Sequence, residues 1–134
     1  VDMQGNQIGV HSGLINYTIG QRERLGIGGP KAYYVLKLDS RNNTLICGDD
    51  HDLYQKELIA ANLNWISLTN NLQAPTGNIG AKIRHGHPIE RCIIEKNDDH
   101  RVKVTFKKAQ RAITPGQSIV FYDGEEVLGG GVIE

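Results

Sequence analysis

The sequence predicts a mainly β protein: a small front segment carrying a short helix and a β-hairpin, then a compact all-β unit. Three observations lead there. Tyr33-Tyr34-Val35-Leu36-Lys37-Leu38 and Thr44-Leu45-Ile46-Cys47-Gly48 are runs of strand formers on either side of the turn cluster Asp39-Ser40-Arg41-Asn42-Asn43. From Lys56 onward, six strand-like runs fall within about eighty residues, separated by turn signals and without a helical period. Gly129-Gly130-Gly131 then interrupts the last run, as at a sharp corner where side chains would collide. Runs of this kind build a small barrel or a sandwich.

The elements follow in order. Val1 to Gly9 reads as a turn or short hairpin. Ser12 is placed to cap a short helix that carries Leu14, Ile15, Tyr17 and Ile19 inward. Tyr17 to Gly29 is a glycine-rich stretch with Gln21, Arg22 and Arg24, and Pro30 closes it. The hairpin 33–48 follows, then the acidic run Asp49-Asp50-His51-Asp52. A domain boundary is expected there, dividing residues 1–54 from 55–134. In the second part, Leu58 to Ala61 leads into Leu63 to Leu68, with Leu63, Trp65 and Leu68 facing inward. A loop is expected over 70–78. Strands are expected over Ile79–Arg84, Glu90–Glu95, Arg101–Phe106, Ser118–Tyr122 and Val127–Ile133. Arg101 to Phe106 alternates, with Val102, Val104 and Phe106 on one face. Asn97-Asp98-Asp99-His100, Pro115-Gly116 and Asp123-Gly124 mark turns.

Composition limits the functional classes. The chain has 134 residues, and its 15 Lys plus Arg balance 15 Asp plus Glu, so no global field attracts nucleic acid. A binding patch must come from local clustering. No apolar run approaches the roughly 20 residues needed to span a bilayer, and no signal peptide is visible, so a cytoplasmic location without membrane partners is expected. The chain opens on Val1 with no helix start, which reads as a piece of a longer protein. Cys47 and Cys92 form no C-x-x-C pair, and neither a zinc site nor a disulfide framework is indicated. The acidic run lacks the spacing of a calcium loop. His85 and His87 sit two apart at a strand end, but no third metal ligand is required by the spacing.

Phosphate cradles fail on the letters. There is no Gly-Lys-Ser or Gly-Lys-Thr, and Lys31 stands where the third glycine of a dinucleotide fingerprint would be. Basic residues cluster instead at ends and loops: Arg22, Arg24 and Lys31 around the glycine stretch, Lys82 and Arg84 at a strand end, and Lys107, Lys108 and Arg111 before the Pro-Gly turn. Scattered positive points of this kind suit an RNA backbone better than a small anion, while on pattern alone solubilising surface charge accounts for them at least as well.

Gly5, Gly9, His11 and Gly13, followed by Tyr17-Thr-Ile-Gly-Gln-Arg-x-x-Leu-Gly-Ile-Gly-Gly29, resemble the central region of the tRNA-specific 2-thiouridylases. The tail is similar as well, in Ala81-Lys82-Ile83-Arg84, Gln110 to Ser118, Val120 to Gly124 and Leu128 to Ile133. The likeness runs through nearly the whole chain in order. It implies a six-stranded antiparallel β-barrel of elongation-factor-domain type. It also implies a parent enzyme that uses ATP with Mg to activate the 2-oxygen of the wobble uridine at tRNA position 34. A cysteine persulfide, charged by a sulfur-relay donor protein, then replaces that oxygen. The family's S-G-G-x-D-S motif does not occur here, and Cys47 and Cys92 lie outside its catalytic motifs. By resemblance, therefore, this chain holds no catalytic residue and no cofactor, and its task is to hold tRNA around the anticodon stem-loop.

At matched positions, Arg84 and Gln117 correspond to the family's tRNA-contacting arginine and turn glutamine, and His85 stands where tyrosine is common. Arg22, Arg24, Lys82 and Arg111 join the expected tRNA-binding set by charge and location. The glycine-rich stretch becomes a connector whose Gln21, Arg22 and Arg24 face RNA or the active-site entrance, and it is expected to be the least ordered part of the front segment. The competing expectation is a stand-alone, non-catalytic barrel module that binds a protein or a small ligand.

Overall fold

A computed structural model describes residues 1–66 and 79–134. The expected loop over 70–78, and the inward Leu68, lie outside the described residues. The chain divides into two compact units, Val1–Tyr54 and Gln55–Glu134.

In the front unit, β1 (Tyr34–Asp39) and β2 (Thr44–Gly48) pair antiparallel from Asp39↔Thr44 to Tyr34↔Gly48. Asp39 builds the turn: its carboxylate accepts the N–H groups of Arg41 and Asn42, and Asn43 takes a left-handed φ of 50°. Val35, Leu45 and Cys47 are buried and pack with Tyr17 and Leu25. The helix expected after Ser12 shrinks to one 3-10 turn, Leu14–Asn16, with no side-chain cap. Ile15 is 95% exposed rather than buried, because Gly13 and the extended Tyr17 leave room for a single turn. A second 3-10 turn, Asp50–Leu53, absorbs the acidic run. Asp52 Oδ2 accepts the Asp49 N–H at 2.9 Å, which closes the start of that turn.

The glycine-rich stretch is anchored at its start. Tyr17 and Leu25 sit in the front core. Gly20 N–H donates to the Val35 carbonyl, and Val35 N–H donates to the Gln21 carbonyl, so the stretch borders β1. Two apolar anchors and two main-chain bonds hold a segment whose later glycines, Gly26, Gly28 and Gly29, have open space around them.

The second unit is a closed antiparallel barrel with the order β3-β6-β5-β4-β7-β8. Its strands are β3 (Tyr54–Trp65), β4 (Ile79–Lys82), β5 (Glu90–Lys96), β6 (Val102–Arg111), β7 (Ser118–Asp123) and β8 (Glu126–Ile133). The interior holds Leu58, Ala60, Ile94, Val104, Phe106, Ile119, Phe121 and Ile133, with Trp65 stacked on Phe121 at 5.3 Å. The alternation of Val102, Val104 and Phe106 is inward as expected. β3 switches parity midway, from Leu58 and Ala60 to Leu63 and Trp65. A bulge between Ala61 and Asn64, with Asn62 at φ 50°, supplies the extra residue. The three glycines lie where β8 is squeezed between β3 and β7. A Cβ on Gly130 would meet the Ile119 carbonyl at 2.6 Å, and one on Gly131 the Ala61 carbonyl at 2.7 Å.

Candidate nucleic-acid interface

One end of the barrel gathers five of the seven expected RNA-binding residues. β4 runs antiparallel to β7 with Lys82 opposite Val120, so the end of β4 lies beside the start of β7. Arg84, His85 and Gly86 follow β4 in a tight turn, with Gly86 at φ 79° and His85 exposed. Gln117 precedes β7 in the turn Thr114-Pro115-Gly116-Gln117. Pro115 presets the second position of that turn. Gly116 takes φ 89°, and Gln117 N–H reaches the Thr114 carbonyl at 3.2 Å. Arg111 ends β6, and the Arg84 side chain bridges to it.

Each side chain has its own setting. Lys82 is half-buried, its ammonium 5.5 Å from the centre of the Tyr122 ring, which orients the cation. Arg84 is half-buried and donates from Nη2 to the carbonyls of Arg111 at 3.0 Å and Ala112 at 2.7 Å. His85 and Gln117 are exposed, and the Gln117 backbone is tied to β8 because Ile133 N–H donates to its carbonyl. Lys107 and Lys108 stand exposed farther back along β6. The cluster thus combines fixed cations, an amide and an imidazole, the groups that contact phosphates and stack on or hydrogen-bond to unpaired bases.

Arg22 and Arg24 belong to the front unit. Both are exposed, and neither makes an ion pair among the described residues. They line a cavity of about 340 Å³ together with Gly26, Gly29, Lys31 and Tyr33. Arg24 has φ 61°, a left-handed bend beside the buried Leu25. Lys31 is committed elsewhere: it pairs with Asp49 at 3.3 Å, and that bond raises its pKa. Gln21 does not present a free amide to RNA. Its Oε1 accepts the Thr18 N–H and its Nε2 donates to the Glu23 carbonyl, so it staples its own loop.

Other candidates carry less chemistry. The front unit has a groove of about 300 Å³ lined by Ile8, Val10, His11, Leu25, Ile27 and Leu45. His11, its polar edge, accepts the Gly13 N–H at Nδ1 and donates from Nε2 to the Asn43 carbonyl, which sets the tautomer. Asp49, His51 and Asp52 bring potential ligand atoms within 4.8 Å of one another. Lys31, the Asp49 amide and the mutual His51–Asp52 contact already occupy them. Burial pushes the Cys92 thiol up to about 12 and raises Cys47 as well, so both are poor nucleophiles at neutral pH.

Sequence reasoning did not find Tyr122, the platform for Lys82, or Ala112, the left-handed residue that Arg84 grips. An aromatic in a strand and an alanine in a loop carry no local signal of those roles.

Comparison with known proteins places these features. Residues 55–133 match the family described as aminomethyltransferase beta-barrel domain. Residues 1–49 match the tRNA methyl transferase PRC-barrel domain. The tRNA-specific 2-thiouridylase MnmA of Acetivibrio thermocellus is 47% identical over 134 residues, which is 100% of this chain and 37% of that protein. The corresponding proteins of Halothermothrix orenii and Clostridioides difficile are 48% and 46% identical, again over 100% of this chain and 37% of their own length. The chain thus spans little more than a third of the relatives it matches. It belongs to the family of the aminomethyltransferase beta-barrel domain, and the relatives it resembles along its whole length are tRNA-specific 2-thiouridylases.

Proposed function

We propose that this chain is the tRNA-holding part of a tRNA 2-thiouridylase that installs 2-thiouridine at wobble position 34. The observation that carries the reading is the convergence of Lys82, Arg84, His85, Arg111 and Gln117 at one barrel end. Cations there neutralise phosphates, while His85 and Gln117 meet bases of a single-stranded loop. Arg22 and Arg24, both exposed in the front unit, belong to the same proposed tRNA-binding set. The buried thiols here are unsuited to carry sulfur. Adenylation with ATP and Mg, and sulfur transfer from a relay donor, belong to the part of the relatives that this chain does not span. The enzyme works on tRNA in the cytoplasm.

The test is tRNA binding as a function of salt. Neutralising three phosphates predicts a slope of about −2.5 in log K against log salt, or roughly a 30-fold loss between 50 and 200 mM. Gln117→Ala and Arg111→Ala weaken binding further, while Glu125→Ala, in an exposed turn, leaves it unchanged. Salt-independent binding, or none at low ionic strength by a folded chain, would refute the reading.

A further inference from the structure

Arg22, Arg24 and Lys31 line the front-unit cavity of about 340 Å³, and among the described residues no carboxylate lines it. That volume lies in the range of about 300–1,000 Å³ usual for small-ligand sites. Asp49, which is not on the cavity wall, partly neutralises Lys31 at 3.3 Å. Arg22 and Arg24 have no ion pair and no side-chain hydrogen bond among the described residues. Like charges gathered on one wall repel, and an anion between them removes that cost. The backbone is shaped to the same end. Arg24 holds φ 61°, the left-handed region that a residue with a Cβ disfavours. The bend lets Leu25 enter the front core while its neighbour Arg24 lines the cavity. Gly26 and Gly29 also line it, at φ 68° and 102°, and a Cβ on either would meet nothing within 4 Å. Among the described residues, the N–H groups of Gly26, Gly28 and Gly29 donate no hydrogen bond. Left-handed glycines with unspent amides are the elements from which anion-binding concavities are built.

We propose that this cavity is a phosphate-binding site, with Arg22 and Arg24 as its cations and the amides of Gly26, Gly28 and Gly29 as its neutral donors. Arginine suits the task because its planar fork donates to two phosphate oxygens at once. The phosphate belongs either to an RNA backbone or to a free phosphate ion. The RNA source rests on the tRNA-holding reading above; the site itself does not.

The experiment compares the wild-type chain, the double variant Arg22→Ala/Arg24→Asn and the control Arg41→Ala. Asparagine tolerates the left-handed conformation, so Arg24→Asn removes the cation and keeps the bend. Arg41 is exposed in the turn between β1 and β2, outside the cavity, and controls for general charge. The first readout needs no RNA: amide chemical shifts during titration with inorganic phosphate at constant ionic strength. Phosphate should move the Gly26, Gly28 and Gly29 amides saturably in the wild type and in Arg41→Ala, while the core amides of Val35 and Leu45 stay in place. The double variant should bind phosphate about tenfold more weakly, the loss expected for charge-assisted hydrogen bonds. The second readout is tRNA affinity against salt. One RNA phosphate held in this cavity predicts a slope shallower by about 0.9 in the double variant. Phosphate binding with an unchanged tRNA slope supports the site and assigns it to a free phosphate. If the wild-type chain binds no tRNA at low salt, the tRNA-holding reading fails, and the phosphate titration alone decides the site. No saturable shift at the three glycines, or equal phosphate binding by all three proteins, overturns the proposal. Should the double variant lose the front fold, seen at Val35 and Leu45, Arg22→Gln is judged by the same comparison.

Discussion

Gly129→Ala isolates the cost of closing this barrel. Gly129 sits opposite Trp65 on β3 and Phe121 on β7, with φ 153°. A Cβ there would press on the Asn64 carbonyl and would lie 2.8 Å from Trp65 Cα and 2.9 Å from the indole ring. Two of those neighbours are backbone and cannot swing aside. Overpacking of this kind costs about 1–3 kcal/mol, and a side chain at such a φ costs of order 1–3 kcal/mol more. The sum spans about 2–6 kcal/mol, with about 3–4 kcal/mol as the working value, a large share of a small unit's stability. Gly124→Ala is the control: it is also left-handed, at φ 61°, but has nothing within 4 Å, so only the conformational cost of about 1 kcal/mol remains. The single tryptophan of the chain is Trp65, stacked on Phe121, so its fluorescence reports the barrel alone. With a urea slope of about 1 kcal/mol/M, Gly129→Ala should lower the midpoint by about 3 M and Gly124→Ala by about 1 M. If Gly129→Ala costs no more than Gly124→Ala, the close approach of β3 and β8 is not what the glycine serves.

Two further predictions concern pH. Burial raises the Cys92 thiol from its ordinary 9.0 to about 12, so the folded state favours the protonated form; this contribution is intact below pH 9 and is lost as pH rises from 9 towards 12. Barrel stability should fall along that limb by up to about 1.4 kcal/mol per pH unit, and Cys92→Ala should flatten it; identical alkaline slopes in the two proteins would remove the argument. The Asp98 carboxylate is held below its usual range, first by the Arg101 guanidinium at 2.6 Å and then by the His100 amide. A lowered carboxylate stabilises above its unfolded value and stops doing so as pH falls through the folded one. Acidification below about 4 should therefore loosen the 97–101 turn, visible as faster exchange of the Asn97 amide. Arg101→Ala should shrink that acid step to what the His100 amide still supplies.

The barrel was legible because its signals are local. Alternation in 102–106 places Val102, Val104 and Phe106 inside, since side chains on a strand point to opposite faces in turn. Pro115-Gly116 and Asp123-Gly124 can only turn, and three glycines in a strand mean that another backbone comes close. The likeness to the thiouridylases was equally plain, because it rests on letters in order. What the letters left open were matters of distance in space. The choice between barrel and sandwich depends on β3 meeting β8, some seventy residues apart, and no local pattern encodes that pairing. The parity switch at Asn62 arises because a bulge absorbs one residue, and asparagine tolerates the left-handed bend without announcing it. The helix expected after Ser12 fails because one turn makes too few hydrogen bonds to bury Ile15. Sequence placed Arg84 at a strand end with a charge and expected a phosphate there. Only the tertiary structure brings it to the carbonyls of Arg111 and Ala112, because a guanidinium finds its acceptors across a barrel end and not along the chain.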